Sequence, residues 1–143
     1  MNRLLVPIDF SDVTGRVVST AQQLARAFSA KVWLLHCAGD GSILGEIPAL
    51  PDVGLPGRYP EDYRKLADLT ASLRDAGIDA ELIFGAGSPV DKILAAAEEH
   101  QVDLIVLGSH GRGALVELLA GSVAKAVLTR AGRPTLIIPS HKP

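Results

Sequence analysis

Aromatic side chains are scarce in this chain: Trp, Tyr and Phe together make up 4% of its 143 residues. A stacking platform for nucleic-acid bases needs several such rings on one face. The core must therefore be built from Leu, Ile, Val and Ala. Cysteine is rarer still. Cys37 stands alone, which excludes an internal disulfide and a cysteine metal cluster. It lies inside an apolar run, where a lone thiol packs as a small hydrophobe. Neither sign of charge dominates, with 14 Lys and Arg against 16 Asp and Glu for a net charge of -2. No basic field draws the chain to nucleic acid or to an anionic membrane. No apolar run reaches the roughly 18 residues that a membrane span needs, and Asp9 arrives too early for the apolar core of a secretory signal. These absences predict a cytoplasmic protein. Metal and nucleophile motifs are missing as well: there is no H-E-x-x-H, no paired-Cys spacing and no G-x-S-x-G. The four histidines are dispersed. His36 reads as a satisfied core or edge histidine, and His100 and His141 read as solvated surface residues.

What the chain does contain is short apolar runs alternating with amphipathic stretches. "RLLVPID" reads as a first strand ending at Asp9. In "SDVTGRVVSTAQQLARAFSA", Val17, Ala21, Leu24, Ala25 and Phe28 recur at helical spacing, with Ser11 as N-cap. "KVWLLHCA" is a second strand. Residues 39–62 are rich in Gly and Pro without a period, and predict a long internal loop. "PEDYRKLADLTASLRDAG" is a helix with Tyr63, Leu66, Ala67, Leu69, Leu73 and Ala76 inward and Gly77 as its stop. "IDAELIFG" is strand three. "SPVDKILAAAEEHQ" carries a strong helix start, with Ser88 as cap, Pro89 first and Asp91 three after the cap. "DLIVLG" is strand four. A short helical piece around "LVELLA" precedes "SVAKAVLTRAG", a last helix capped by Ser122 and stopped by Gly132. "PTLIIP" is strand five. Strict β-α alternation predicts one domain over 1–143, an α/β doubly wound, Rossmann-like parallel sheet with helices on both faces. Ligands of such sheets bind beyond the carboxyl ends of the strands, where the strand order reverses.

After strand four the chain reads "GSHGRGALVELLAGS". Gly108, Gly111 and Gly121-Ser122 follow the spacing G-x2-G-x9-G-S. Glycines let backbone N–H groups approach an anion, and a helix start offers unpaired N–H groups with partial positive charge. The hydroxyl of Ser122, the N–H groups of Ser122, Val123 and Ala124, and the side chains of His110 and Arg112 make the parts of a polyphosphate cradle. The alternative is that these glycines only make turns. Other phosphate loops are excluded: there is no G-x-x-x-x-G-K-[ST], and the first strand–helix turn, "PIDFSD", has no G-x-G-x-x-G. Asp9 and Asp12 invite a phospho-receiver reading, but strand three ends "LIFGAG", without the acceptor Asp. Asp9 itself is either a turn residue or a ligand contact.

With these segments in place, the chain resembles the universal stress protein family in its ATP-binding class. The resemblance rests on "LLVPIDFSD", "LLHC", "GSPVDKIL", "DLIVLGSHGRG", "AGSVAKAVL" and "PTLIIP", and on the family motif G-x2-G-x9-G-[ST]. It implies a five-stranded parallel sheet in the order 3-2-1-4-5, and a homodimer. It implies that Gly108, His110, Gly111, Gly121, Ser122 and Val123 hold the phosphates and ribose of ATP, flanked by Pro7, Ile8, Leu107, Arg112 and Ala124. Asp9 would contact the ribose or a phosphate-bound Mg²⁺, and the backbone at Cys37 would read the adenine edge. Two positions depart from the family pattern. Phe10 replaces the Gly that often follows the Asp, and Ile8 stands where a small polar residue is sometimes found.

No residue set looks like a dedicated nucleophile and base, so binding is favoured over turnover. The expected function is that of an ATP-binding stress or signalling protein. A slow Mg²⁺-dependent adenine-nucleotide hydrolase or phosphotransferase using Asp9 is the alternative, and an ATP-free dimeric interaction module is another. The final strand carries no charge at Thr135, Leu136, Ile137 and Ile138. An unguarded apolar edge of this kind favours pairing with a second copy; the alternative is that the loop after strand two or the tail "SHKP" covers it.

Overall fold

The computed structural model describes residues 1–38, 54–109 and 123–139. In chain order the elements are β1 (Arg3–Pro7), α1 (Thr14–Phe28), β2 (Lys31–Ala38), α2 (Gly54–Arg58), α3 (Pro60–Asp75), β3 (Ala80–Ala86), α4 (Pro89–Glu99), β4 (Leu104–Gly108), α5 (Val123–Arg130) and β5 (Thr135–Ile138). The strands form one parallel sheet in the order β3-β2-β1-β4-β5, the order that the resemblance implies.

Strand side chains alternate between two cores. Leu4, Val6, Val32, Leu34 and Val106 belong to the core that also holds Val17 and Ala21 of α1 and Leu66 and Leu73 of α3. Leu5, Trp33, Leu35, Ile105 and Leu107 belong to the other, with Ile93 and Ala96 of α4 and Val127 of α5. Burial on both faces explains why the strands read as unbroken apolar runs. Each fully buried Leu, Ile or Val contributes about 1.5–3 kcal/mol. A polar exception is Thr70, buried on α3, whose hydroxyl donates to the Leu66 carbonyl at 2.8 Å. Phe28 departs from its expected inward position and is 48% exposed. It is the last residue of α1; Ser29 then turns the chain with a left-handed φ of 53°, and Ala30 takes the core place.

Local signals decide where the helices begin and end. Ser88 caps α4, its hydroxyl accepting from the Asp91 N–H at 3.3 Å, with Pro89 in the first turn. Gly77 follows α3 with a φ of 86°, an angle that a side chain disfavours. The expected cap of α1 is overturned. Val13 holds the cap position, and no side chain bonds there. The Ser11 N–H donates to Asp9 Oδ1 at 2.9 Å, which folds Asp9–Ser11 into its own turn and delays the helix. Ser11 instead offers its carbonyl to the Thr14 N–H at 3.1 Å. The loop expected over 39–62 also ends earlier, because Gly54–Arg58 is helical and Pro60 starts α3. The rest of that loop, the "LVELLA" piece and the Ser122 cap lie outside the described residues.

Candidate functional site

The sheet reverses direction of growth between β1 and β4, so the crevice is built there. These strands pair at Leu4 with Leu104 and Leu5 with Ile105. β1 stays paired with β2 through Pro7, and β4 stays paired with β5 through Gly108. Beyond Leu5 and Ile105, then, each strand is held by its outer neighbour, and the carboxyl ends of β1 and β4 are the place for a ligand. Asp9 and Gly108 stand at those two ends. Asp9 is exposed and turns through its bond to Ser11. Pro7, Ile8 and Leu107 are buried, and Ala124 is buried at the start of α5 beside the partly buried Val123. Their side chains belong to the core, which leaves backbone groups for any ligand. For Ile8 even those are engaged: its N–H donates to the Leu35 carbonyl at 2.8 Å and its carbonyl accepts from His36 Nδ1 at 2.9 Å.

Cys37 lies near the end of β2, paired with Gly85 of β3. Backbone groups alternate sides along a strand. Those of Cys37 therefore face the same edge as Leu35, whose carbonyl meets Ile8, but past the last residue of β1. The thiol stands out of the sheet plane and is half-buried against the α4-side core. Burial pushes its pKa up, and the charge of Lys92 partly opposes this. Cys37 is thus a poor nucleophile.

Sequence reading missed a cluster on the α3 side of this end. The Phe10 ring lies 4.4 Å from the His36 ring, with Lys65 Nζ 5.4 Å from the Phe10 centroid. Phe84 lies 6.0 Å from His36 and meets Tyr63 edge-on at 5.3 Å. Because a carbonyl only accepts, His36 Nδ1 carries a proton; Nε2 faces Asp62 Oδ2 at 3.4 Å. His36 is 7% exposed, the satisfied core histidine that the sequence suggested. The signal for its partners was available in part: Asp62 and Lys65 stand three apart in the first turns of α3, as residues sharing a helix side do. Phe10 takes a φ of 62°, a left-handed angle that a glycine adopts without steric cost and a residue with a side chain does not. Its ring is thereby packed against the α1–α3 core. His110, Gly111, Arg112, Gly121 and Ser122 lie outside the described residues. Among the described residues no group of three or more His, Cys, Asp or Glu could hold a metal, and no helix is long and apolar enough to cross a membrane.

Sheet order, helix layers and a crevice at the switch point define a doubly wound, Rossmann-like α/β domain. The model of the universal stress protein family matches residues 1–139. A universal stress protein of Bacillus subtilis, YxiE, is 30% identical over 96% of this chain and 98% of its own length. The solved structure of MJ0577, a universal stress protein of Methanocaldococcus jannaschii, superposes with a TM-score of 0.76 at 28% identity, over 96% of this chain and 95% of that one. A universal stress protein solved in complex with cAMP superposes with a TM-score of 0.73 at 27% identity, over 98% of both chains. The chain belongs to the universal stress protein family.

Proposed function

We propose that this protein binds ATP in the crevice between β1 and β4 and acts as a nucleotide-dependent stress or signalling protein of the cytoplasm. The observation that carries this reading is the position of Gly108. The glycine motif starts at the end of β4, where β1 and β4 are no longer paired to each other, and Asp9 stands at the end of β1 opposite. In this reading Gly108, His110, Gly111, Arg112, Gly121 and Ser122 surround the phosphates, with the N–H groups of Val123 and Ala124 at the start of α5 adding partial positive charge. The backbone of Cys37, left facing the crevice beyond β1, reads the adenine edge. Asp9 supplies a hard carboxylate oxygen of the kind Mg²⁺ takes, or accepts from ribose hydroxyls. The cAMP complex of a relative supports an adenine nucleotide as ligand. Nothing among the described residues pairs a nucleophile with a base, which favours retention of the nucleotide over rapid turnover.

Mass spectrometry of ligand released from natively purified protein, followed by calorimetry with ATP, tests the reading. Gly121→Val should abolish binding while circular dichroism stays unchanged, because a β-branched side chain would occupy phosphate space. Asp9→Ala should weaken Mg·ATP by about 1–3 kcal/mol, the value of a charged hydrogen bond, and weaken metal-free ATP less. A folded Gly121→Val protein with unchanged affinity rejects the cradle. Equal Mg·ATP affinity of Asp9→Ala and wild type rejects the role of Asp9.

A further inference from the structure

Gly108 opens the phosphate motif, yet its own backbone does not call for glycine: its φ is not among the left-handed angles. Space does. A Cβ on Gly108 would lie 2.5 Å from Val13 Cγ1, 3.0 Å from Val17 Cγ2 and 3.4 Å from Val13 Cγ2. Both valines are buried, at 3% and 1% exposure. A β-branched side chain is restricted at χ1, most of all on a helix, so Val17 on α1 and the buried Val13 at its cap have little room to swing aside. A methyl at residue 108 would have to lift the start of α1 away from β4.

We infer that Gly108 is a positioning residue: its missing side chain seats Val13 against the end of β4 and so sets the height of the Asp9–Thr14 turn over the crevice. The turn is short and tied together. Asp9 Oδ1 accepts from the Ser11 N–H at 2.9 Å, the Ser11 carbonyl accepts from the Thr14 N–H at 3.1 Å, and the Val13 carbonyl accepts from the Val17 N–H at 3.0 Å. Phe10 is held at a φ of 62° with its ring against His36. A shift at Val13 therefore reaches the Asp9 carboxylate with few joints to absorb it. On the other side, β4 is fixed by its pairing with β5 and by the Ser109 N–H donating to the Ile138 carbonyl at 2.9 Å. The consequence for nucleotide affinity rests on the ATP reading above. The packing claim does not.

Gly108→Ala, Val13→Ala and the double variant decide the matter. In the double variant the methyl introduced by Gly108→Ala enters the space that the two Val13 methyls have left, a net loss of one methylene, and the 3.0 Å approach to Val17 Cγ2 is the contact that remains. In the free protein, Gly108→Ala should move the Ser11 and Thr14 amide resonances from their wild-type positions, and the double variant should show them where Val13→Ala alone does. ATP affinity should fall about tenfold in Gly108→Ala and return to within about threefold in the double variant. Unmoved amides, or a loss of affinity that Val13→Ala does not restore, would mean that the Cβ meets the ligand and not α1, and overturns the proposal. If Gly108→Ala fails to fold, a folded double variant supports the contact and an unfolded one overturns it. If wild type binds no adenine nucleotide, the ATP reading falls, while the amide shifts still decide the packing.

Discussion

Phe10 combines a backbone angle that suits glycine with a packing place that suits a ring. The left-handed angle costs a side-chain residue about 1–2 kcal/mol. Against that, the ring pair with His36 returns about 0.5–1.5 kcal/mol, and partial burial of a Phe returns about 1 kcal/mol more. Phe10→Ala keeps the angle and loses the ring, and should destabilise by about 2 kcal/mol on the same figures. Phe10→Gly loses the ring but relieves the angle, and should cost about 1 kcal/mol. Denaturant unfolding should rank wild type above Gly and Gly above Ala, the reverse of the usual preference for Ala. A Gly variant no more stable than the Ala variant would show that the angle carries no cost here. Phe10 also lies between Asp9 and Ser11 in the turn closed by the Ser11 N–H on Asp9 Oδ1, so its angle bears on that turn as well as on stability.

Between elements, the start of β1 is fastened by a residue just before β4. Asp103 Oδ2 accepts from the Asn2 N–H at 2.9 Å and the Arg3 N–H at 3.0 Å. The Asn2 bond is the largest cause that holds its pKa below the usual carboxylate value; burial opposes it, and the Arg3 bond and nearby positive charge add to the lowering. In the unfolded chain an Asp titrates near 3.9. As pH falls, the unfolded chain takes up this proton first. The stabilisation is therefore complete above the unfolded pKa and is lost as pH falls through the folded pKa. Asp103→Asn keeps an oxygen for the two N–H groups and has no proton to gain. Its Tm should fall less steeply than that of wild type as pH drops from about 5 to about 2. Parallel curves would reject the assignment.

At the scale of the molecule, β5 is the last strand of the described sheet and pairs there with β4. Its side chains divide. Ile138 is 7% exposed and belongs to the core, whereas Leu136 is 37% exposed. We propose that Thr135, Leu136, Ile137 and Ile138 form the seam of a two-fold homodimer, the edge-on solution for an uncharged strand. Light scattering should find a dimer that Leu136→Lys converts to folded monomer. Ile138→Lys should unfold the protein instead, because it buries a charge. A wild-type monomer at micromolar concentration rules out the seam.

Element type and order were legible from the sequence because both faces of the sheet are buried and each helix carries one apolar stripe. The Ser88 cap and the Gly77 stop were legible because they depend on neighbours within a turn of chain. The motif from Gly108 to Ser122 was legible as spacing. Ser11 was misread because α1 starts only at Thr14, with Val13 in the cap place, and that start was set by the folded Asp9–Ser11 turn. The outward Phe28 depended on where α1 leaves the sheet. The Phe10–His36–Asp62 cluster joins three separate elements. The contact that Gly108 leaves open for Val13 joins β4 to the start of α1, far away along the chain. Periodicity reports which face of an element is apolar, but it holds no information on which residues of other elements will stand opposite. That was decided by packing.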